Sequence, residues 1–228
     1  MQDPDFEPPV NPLPPAVTLT FLAMAGVEAG LSLGEAGIIG GPGAVGWRLG
    51  LIRDYGFSDQ IFDWMVTNGR APVTEVMRLF TYPFVHLGFT HSLFAMVLLL
   101  ALGKMVAEVL GQVTFAVIFV LAGTGGAGLY ALLMNDQMWL VGAYPSVYGL
   151  IGGYSFVMWR HLAGTGAQQY RAFTLIAFLM GIQLVWGVLF EVGTQWVAEL
   201  LGFFVGFGLC FLLAPGEWTR ILDGLRRR

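Results

Sequence analysis

The sequence predicts an all-α membrane protein: a bundle of six transmembrane helices with an interfacial first loop. Three observations predict it. Of the 228 residues 56% are hydrophobic and only 11% charged, with a mean hydropathy of +0.70. Soluble domains carry about 25% charged residues, so this chain has too little polar surface to coat a water-soluble globule. The apolar residues also gather into six runs close to the roughly 20 residues that a helix needs to cross the hydrocarbon core. Glycine supplies 32 of the 228 positions, about twice its usual share, which suits helices packed closely in lipid. The same counts exclude a disordered chain, a coiled coil, a collagen and a nucleic-acid reader. A net charge of −4 implies no polyanionic partner.

Taken in order, residues 1–13 are acidic and proline-rich and lack the basic flank of a cleavable signal peptide. They read as a cytoplasmic tail, and the first apolar run, Pro14–Leu33, as a retained span. Residues 34–77 form the one sizeable connection. It opens with Gly40-Gly41-Pro42-Gly43 and continues with Trp47, Leu51, Ile52, Tyr55, Phe57, Ile61, Phe62 and Trp64 among charges. This piece is too short and too polar to span, so it is expected to lie externally, as interfacial helices among the headgroups. The other spans are expected at Leu79–Leu102, Val113–Met134, Leu140–Trp159, Phe173–Phe190 and Trp196–Leu213. Residues 14–213 are therefore one membrane domain, and 214–228 a basic cytoplasmic tail.

Orientation follows the basic residues. Lys104, Arg160, Arg171, Arg220, Arg226, Arg227 and Arg228 fall on one side, whereas the connections around Asp136 and Glu191 carry none. Both termini are thus expected in the cytoplasm. Ten arginines against one lysine suggest a GC-rich bacterial genome and an inner-membrane location. The halves show no internal repeat, which argues against an inverted-repeat transporter. The single cysteine, Cys210, allows no internal disulfide.

Polar groups inside spans are costly and mark candidate functional positions. Here they are Glu28, His86, His91, Tyr144, Ser146 and Glu199. Glu28 sits between Gly26 and Gly30, a small-residue spacing that would bring a neighbouring helix close enough to bond the carboxylate. Gly149, Gly202 and Gly206 read as further packing positions. His86 and His91 are five residues apart, about 140° around a continuous helix, so they do not share a metal ion from one face. A pair of hydrogen-bond donors at a cavity mouth is the better reading, and no metal or cofactor is implied.

The order of these motifs resembles the rhomboid family. HLGFTHSLFA (His86–Ala95) is similar to the family's HxxxxHxxxN second span. GKMVAEVLG (Gly103–Gly111) resembles its junction between spans two and three, GAYPSVYGLIG (Gly142–Gly152) its GxSG-bearing fourth span, and VAELLGFFVG (Val197–Gly206) its sixth. Trp47-Arg48 resembles the WR dipeptide of its first loop. The resemblance implies a six-span fold and an intramembrane serine protease, with a serine nucleophile on span four, a histidine base on span six, and His and Asn of span two binding the oxyanion.

Carried over residue by residue, the resemblance places Tyr144 at the nucleophile, Glu199 at the base and Ala95 at the Asn, with His86, His91 and Gly142 retained. A hydroxyl nucleophile needs a base within hydrogen-bond reach. Tyrosine ionises only near pH 10, and Pro145 supplies no backbone N–H to an oxyanion hole. Ser146 is a possible displaced nucleophile, but it lies about 200° around the helix from Tyr144. Glu199 falls in the first turn of the last span, where the helix dipole favours a carboxylate. A Tyr144–Glu199 hydrogen bond, or a contact of either with His91, would fill the former catalytic position.

The expectation is a rhomboid pseudoprotease that binds transmembrane segments of other proteins within the lipid bilayer, as adaptor, chaperone or subunit of a complex. Two alternatives remain open: an active protease using Ser146, and a small transporter.

Overall fold

A computed structural model describes residues 12–134, 139–190 and 193–214, the side chains of 186–188 and 190 excepted. The tails expected at 1–13 and 214–228 (residues 12, 13 and 214 apart) and the connections at Asp136 and Glu191 lie outside the described residues.

Pro15 occupies the first turn of α1 (Pro15–Glu35), where its missing N–H costs no hydrogen bond. The first connection then folds into a 3₁₀ turn (Gly41–Gly46) and three short helices: α2 (Trp47–Tyr55), α3 (Asp59–Asn68) and α4 (Val73–Thr81). Between α2 and α3 lies the two-residue strand β1 (Phe57–Ser58). Ser58 caps α3 by accepting the Ile61 N–H, and Gly69 ends it in the left-handed conformation. These helices turn large apolar side chains outward, among them Leu49 (74% exposed) and Val73 (74%).

A long apolar helix, α5 (Phe89–Leu110), follows. The span expected at Leu79–Leu102 therefore starts ten residues later. Pro83 lies in a 3₁₀ turn (Tyr82–Phe84), and an extended stretch then runs to Gly88 before helix resumes. Hydropathy alone does not register that break, because the residues on either side are equally apolar. Gly111, at φ +95°, makes the joint to α6 (Gln112–Leu133), a backbone angle that a side chain would strain.

Strand β2 (Trp139–Leu140) pairs antiparallel with β1, Phe57 opposite Leu140 and Ser58 opposite Trp139. It leads into α7 (Tyr144–Thr165), in which every residue from Pro145 to Gly153 is buried. A helix apolar and covered on all sides belongs at the centre of a bundle. Around it pack α5, α6 and α9 (Gln195–Leu213). The shared core holds Leu99, Val106, Phe115, Ile118, Leu150 and Phe203. α8 (Thr174–Phe190) touches chiefly α7 and the 3₁₀ turn before it (Gln169–Phe173).

Among the described residues, α1, α5, α6 and α9 are long and apolar enough to cross a membrane. α8 is apolar but shorter, at 17 residues.

The α7–α9 contact is made by backbone. A Cβ on Gly206 would run into the Gly149 backbone, and one on Gly202 into the Pro145 carbonyl. A Cβ on Gly149 would strike Ala122 of α6. Gly26 and Gly30 do not act this way. A Cβ on either meets nothing within 4 Å, because this side of α1 faces away from the bundle. Their expected role in packing within the chain is corrected accordingly.

Candidate functional site

The site forms where the segment before α5 meets the start of α7. The Gly142 N–H donates to the Tyr82 carbonyl at 3.0 Å. The Tyr82 hydroxyl donates to the Gly123 carbonyl of α6 at 2.8 Å. His86, on the extended stretch, accepts the Ala143 N–H at Nε2 (3.3 Å). These bonds join the loop end, α6 and the α7 N-terminus into one polar seam.

His86 does not share a helix with His91, which sits in the first turn of α5. The 140° separation expected of a continuous helix therefore does not apply. The two rings meet edge-on with centroids 5.5 Å apart. Gly142 makes this possible: a Cβ there would stand 2.6 Å from His91 Cε1 and 3.3 Å from His86 Cδ2, and its φ of +93° suits glycine. His91 Nδ1 accepts the Leu87 N–H at 3.4 Å.

Tyr144 opens α7 and lies against His91, ring centroids 4.8 Å apart. Its hydroxyl donates to the His91 backbone carbonyl at 3.1 Å. Of the contacts considered for the nucleophile position, the structure forms Tyr144 with His91 and not Tyr144 with Glu199. Ala95, one turn along α5 from His91, is fully buried and offers only a methyl group.

Glu199 lies in the second turn of α9, past the first-turn position expected for it. Its environment is also different from a helix-end carboxylate. It is 9% exposed and accepts a hydrogen bond from Gln183 Nε2 of α8, with the Tyr148 hydroxyl of α7 facing the same carboxylate. Gln183 was missed in the sequence. The signal for it was a lone carboxamide inside an otherwise apolar run.

Ser146 is buried on a different side of α7. Its Oγ points at the place where Gly123 of α6 lacks a side chain, and it has no hydrogen-bond partner among the described residues.

A second polar centre anchors the first connection. Arg48 of α2 donates to both Glu28 oxygens, at 3.0 and 2.8 Å, to Glu35 at 2.6 and 3.1 Å, and to the His86 carbonyl at 2.9 Å. Ser32 adds a hydrogen bond to Glu28 at 2.8 Å. The hydrogen bonds that Arg48 donates to Glu28, then to Glu35, hold its guanidinium proton more firmly than water would. Glu28 thus bonds a neighbouring helix, and that helix is α2 of the first connection. Through His86 the same arginine reaches the site itself. No group of three His, Cys, Asp or Glu among the described residues could hold a metal ion.

Residues 73–216 match the Rhomboid domain family. Relatives include RHOMBOID-like protein 1 of Arabidopsis thaliana, 32% identical over 143 residues, covering 62% of this chain and 36% of that protein. RHOMBOID-like protein 7 of the same plant is 30% identical over 142 residues, covering 61% of this chain and 43% of that protein. A Bacillus subtilis (strain 168) protein named as a rhomboid protease, YdcA, is 29% identical over 148 residues, covering 64% of this chain and 71% of that protein. The match thus spans less than half the length of these plant relatives. The chain belongs to the rhomboid family, most of whose members are intramembrane serine proteases.

Proposed function

We propose that this rhomboid is non-proteolytic and binds transmembrane helices of other membrane proteins, as adaptor, chaperone or subunit of a complex. The observation that carries the reading is Tyr144. At the family's nucleophile position stands a phenol stacked on His91, its hydroxyl already donated to the His91 carbonyl. The hydroxyl is held by a backbone carbonyl, which cannot take its proton, and not by a ring nitrogen of His91. Glu199, at the base position, is turned to Gln183 and Tyr148. Ser146 as displaced nucleophile finds no support, since its hydroxyl faces Gly123 on another side of α7.

Helix binding is supported by α8, whose Phe178 (63%), Leu184 (70%) and Leu189 (65%) face outward beside the candidate site. In this reading α7 and α8 cross the membrane with the four long apolar helices. The helices of the first connection rest in the outer headgroup layer, and both termini lie in the cytoplasm of a bacterial inner membrane.

The test is gentle affinity purification from native membranes with intact-mass analysis of what co-elutes, followed by a cleavage assay with a transmembrane reporter. A stoichiometric membrane partner and no cleavage are expected. Cleavage that is lost on Ser146→Ala would overturn the non-proteolytic reading.

A further inference from the structure

Away from the site at α7, the first connection holds a cavity of about 330 Å³. Gln60, Ile61 and Trp64 line it from α3, and Pro72 and Glu75 from the start of α4. Both helices pack on α6, and β1, just before α3, pairs with β2, just before α7. The cavity therefore lies at one end of the bundle, where membrane meets water. Trp64 and Trp139, 44% and 37% exposed, are the side chains that favour that boundary.

The lining has the chemistry of a cation site. An ammonium over the face of the Trp64 indole is attracted by the ring quadrupole. Glu75 accepts the Arg78 Nε N–H at one oxygen, at 2.5 Å. Its other oxygen meets the Thr74 hydroxyl at 3.5 Å, a contact too long to saturate it. The Arg78 Nη1 is spent on the Arg53 and Gly56 carbonyls, at 2.6 and 3.1 Å. The arginine thus fixes the carboxylate and leaves one oxygen to accept. Gln60, exposed, brings a carboxamide oxygen as a second acceptor.

The charges around the cavity select against an anionic occupant. Residues 34–81 carry five acidic side chains, four arginines and no lysine. Arg48, Arg53 and Arg78 are each paired with a carboxylate of the chain, so they form no basic cluster for an anionic headgroup. Beyond the cavity, α4 turns Val73, Met77 and Phe80 outward, 74%, 49% and 49% exposed. Their spacing makes one apolar stripe along the helix, a bed for hydrocarbon that starts beside Glu75.

We propose that this cavity binds the primary ammonium of an aminophospholipid headgroup, that of phosphatidylethanolamine. The proposal rests on the placement of α3 and α4 in the headgroup layer and not on the helix-binding reading. The ammonium lies over Trp64 and donates to Glu75 and Gln60, while the acyl chains follow the stripe on α4. A choline headgroup has no N–H to donate and makes the ring contact alone.

The experiment is native mass spectrometry of the delipidated full chain, titrated with phosphatidylethanolamine, phosphatidylcholine and phosphatidylglycerol of identical acyl chains. Phosphatidylethanolamine is expected to be retained about fivefold better than phosphatidylglycerol, with phosphatidylcholine between them. Trp64→Leu and Glu75→Gln each remove most of that preference, and Trp64→Phe keeps part of it. Thermal melts identify any variant that does not fold, and exposed Trp64 tests the site even if Glu75→Gln, which strands Arg78, is lost. Equal retention of the ethanolamine and glycerol lipids overturns the proposal, and equal retention of the choline lipid overturns the primary ammonium. Displacement of the lipid by an equal concentration of free glycerophosphoethanolamine overturns a lipid as the occupant. The placement is checked separately in nanodiscs, with a fluorophore on Thr67→Cys in a Cys210→Ala background and a lipid spin-labelled at its headgroup. Absence of quenching overturns the placement; quenching together with equal lipid retention overturns the ammonium site alone.

Discussion

The Arg48 guanidinium and the Glu28 carboxylate meet through two parallel hydrogen bonds, 3.0 and 2.8 Å long, with both side chains almost wholly buried. The pair pins α2 to α1, and the same Nη1 that bonds Glu28 also donates to the His86 carbonyl. Removing one partner of such a pair strands the other charge, which costs about 3–5 kcal/mol. Arg48→Ala is therefore expected to lower the melting temperature in detergent sharply. Arg48→Lys recovers only part of the loss, because an ammonium does not offer the planar fork. Glu35, much more exposed, matters less, and Glu35→Gln melts closer to wild type than Glu28→Gln.

Tyr144→Phe removes one neutral hydrogen bond and keeps the ring against His91. The expected loss is about 1 kcal/mol, read from denaturant or thermal unfolding, with no appearance of proteolysis. Tyr144→Ser alone is also expected to remain inactive in a reporter cleavage assay, since Glu199 and Ala95 still stand at the other two positions.

Gly206→Ala and Gly202→Ala are expected to be destabilising by about 1–3 kcal/mol, the usual cost of overpacking, because each new methyl meets backbone that has no side chain to move. Gly26→Ala and Gly30→Ala, on the open side of α1, are expected to leave stability unchanged or to raise it by about 0.5–1 kcal/mol through helix propensity. Melting of the four variants side by side checks the contrast.

Ser146→Ala is expected to be neutral or slightly stabilising. The hydroxyl is buried without a partner, so losing it removes a desolvated polar group and no bond. A marked loss of stability or of partner binding on this substitution would contradict the geometry.

The fold was legible where long apolar runs are bounded by polar or turn residues. α6 and α9 lie within a residue or two of the spans read from the sequence. α5 was displaced because Leu79 through Leu110 is apolar for longer than one span, and composition does not say which part is helix. The candidate positions were legible through motif order, but their partners were not. Glu28 stood out in the sequence as a polar group within a span, and Arg48 as half of the Trp47-Arg48 dipeptide. Their pairing depends on how the first connection folds back, which periodicity along one helix does not encode. The Gln183–Glu199 contact escaped for the same reason: it joins α8 to α9, and periodicity along either helix does not encode their relative rotation.

The glycine faces of α7 and α9 have a mechanical consequence. Where α7 and α9 touch through Gly149, Gly202 and Gly206, no side chain lies between the two backbones to absorb a squeeze. Bilayer lateral pressure thus acts on this pair as on a stiff strut. A change in bilayer thickness will therefore tilt α7 and α9 together rather than change the gap between them.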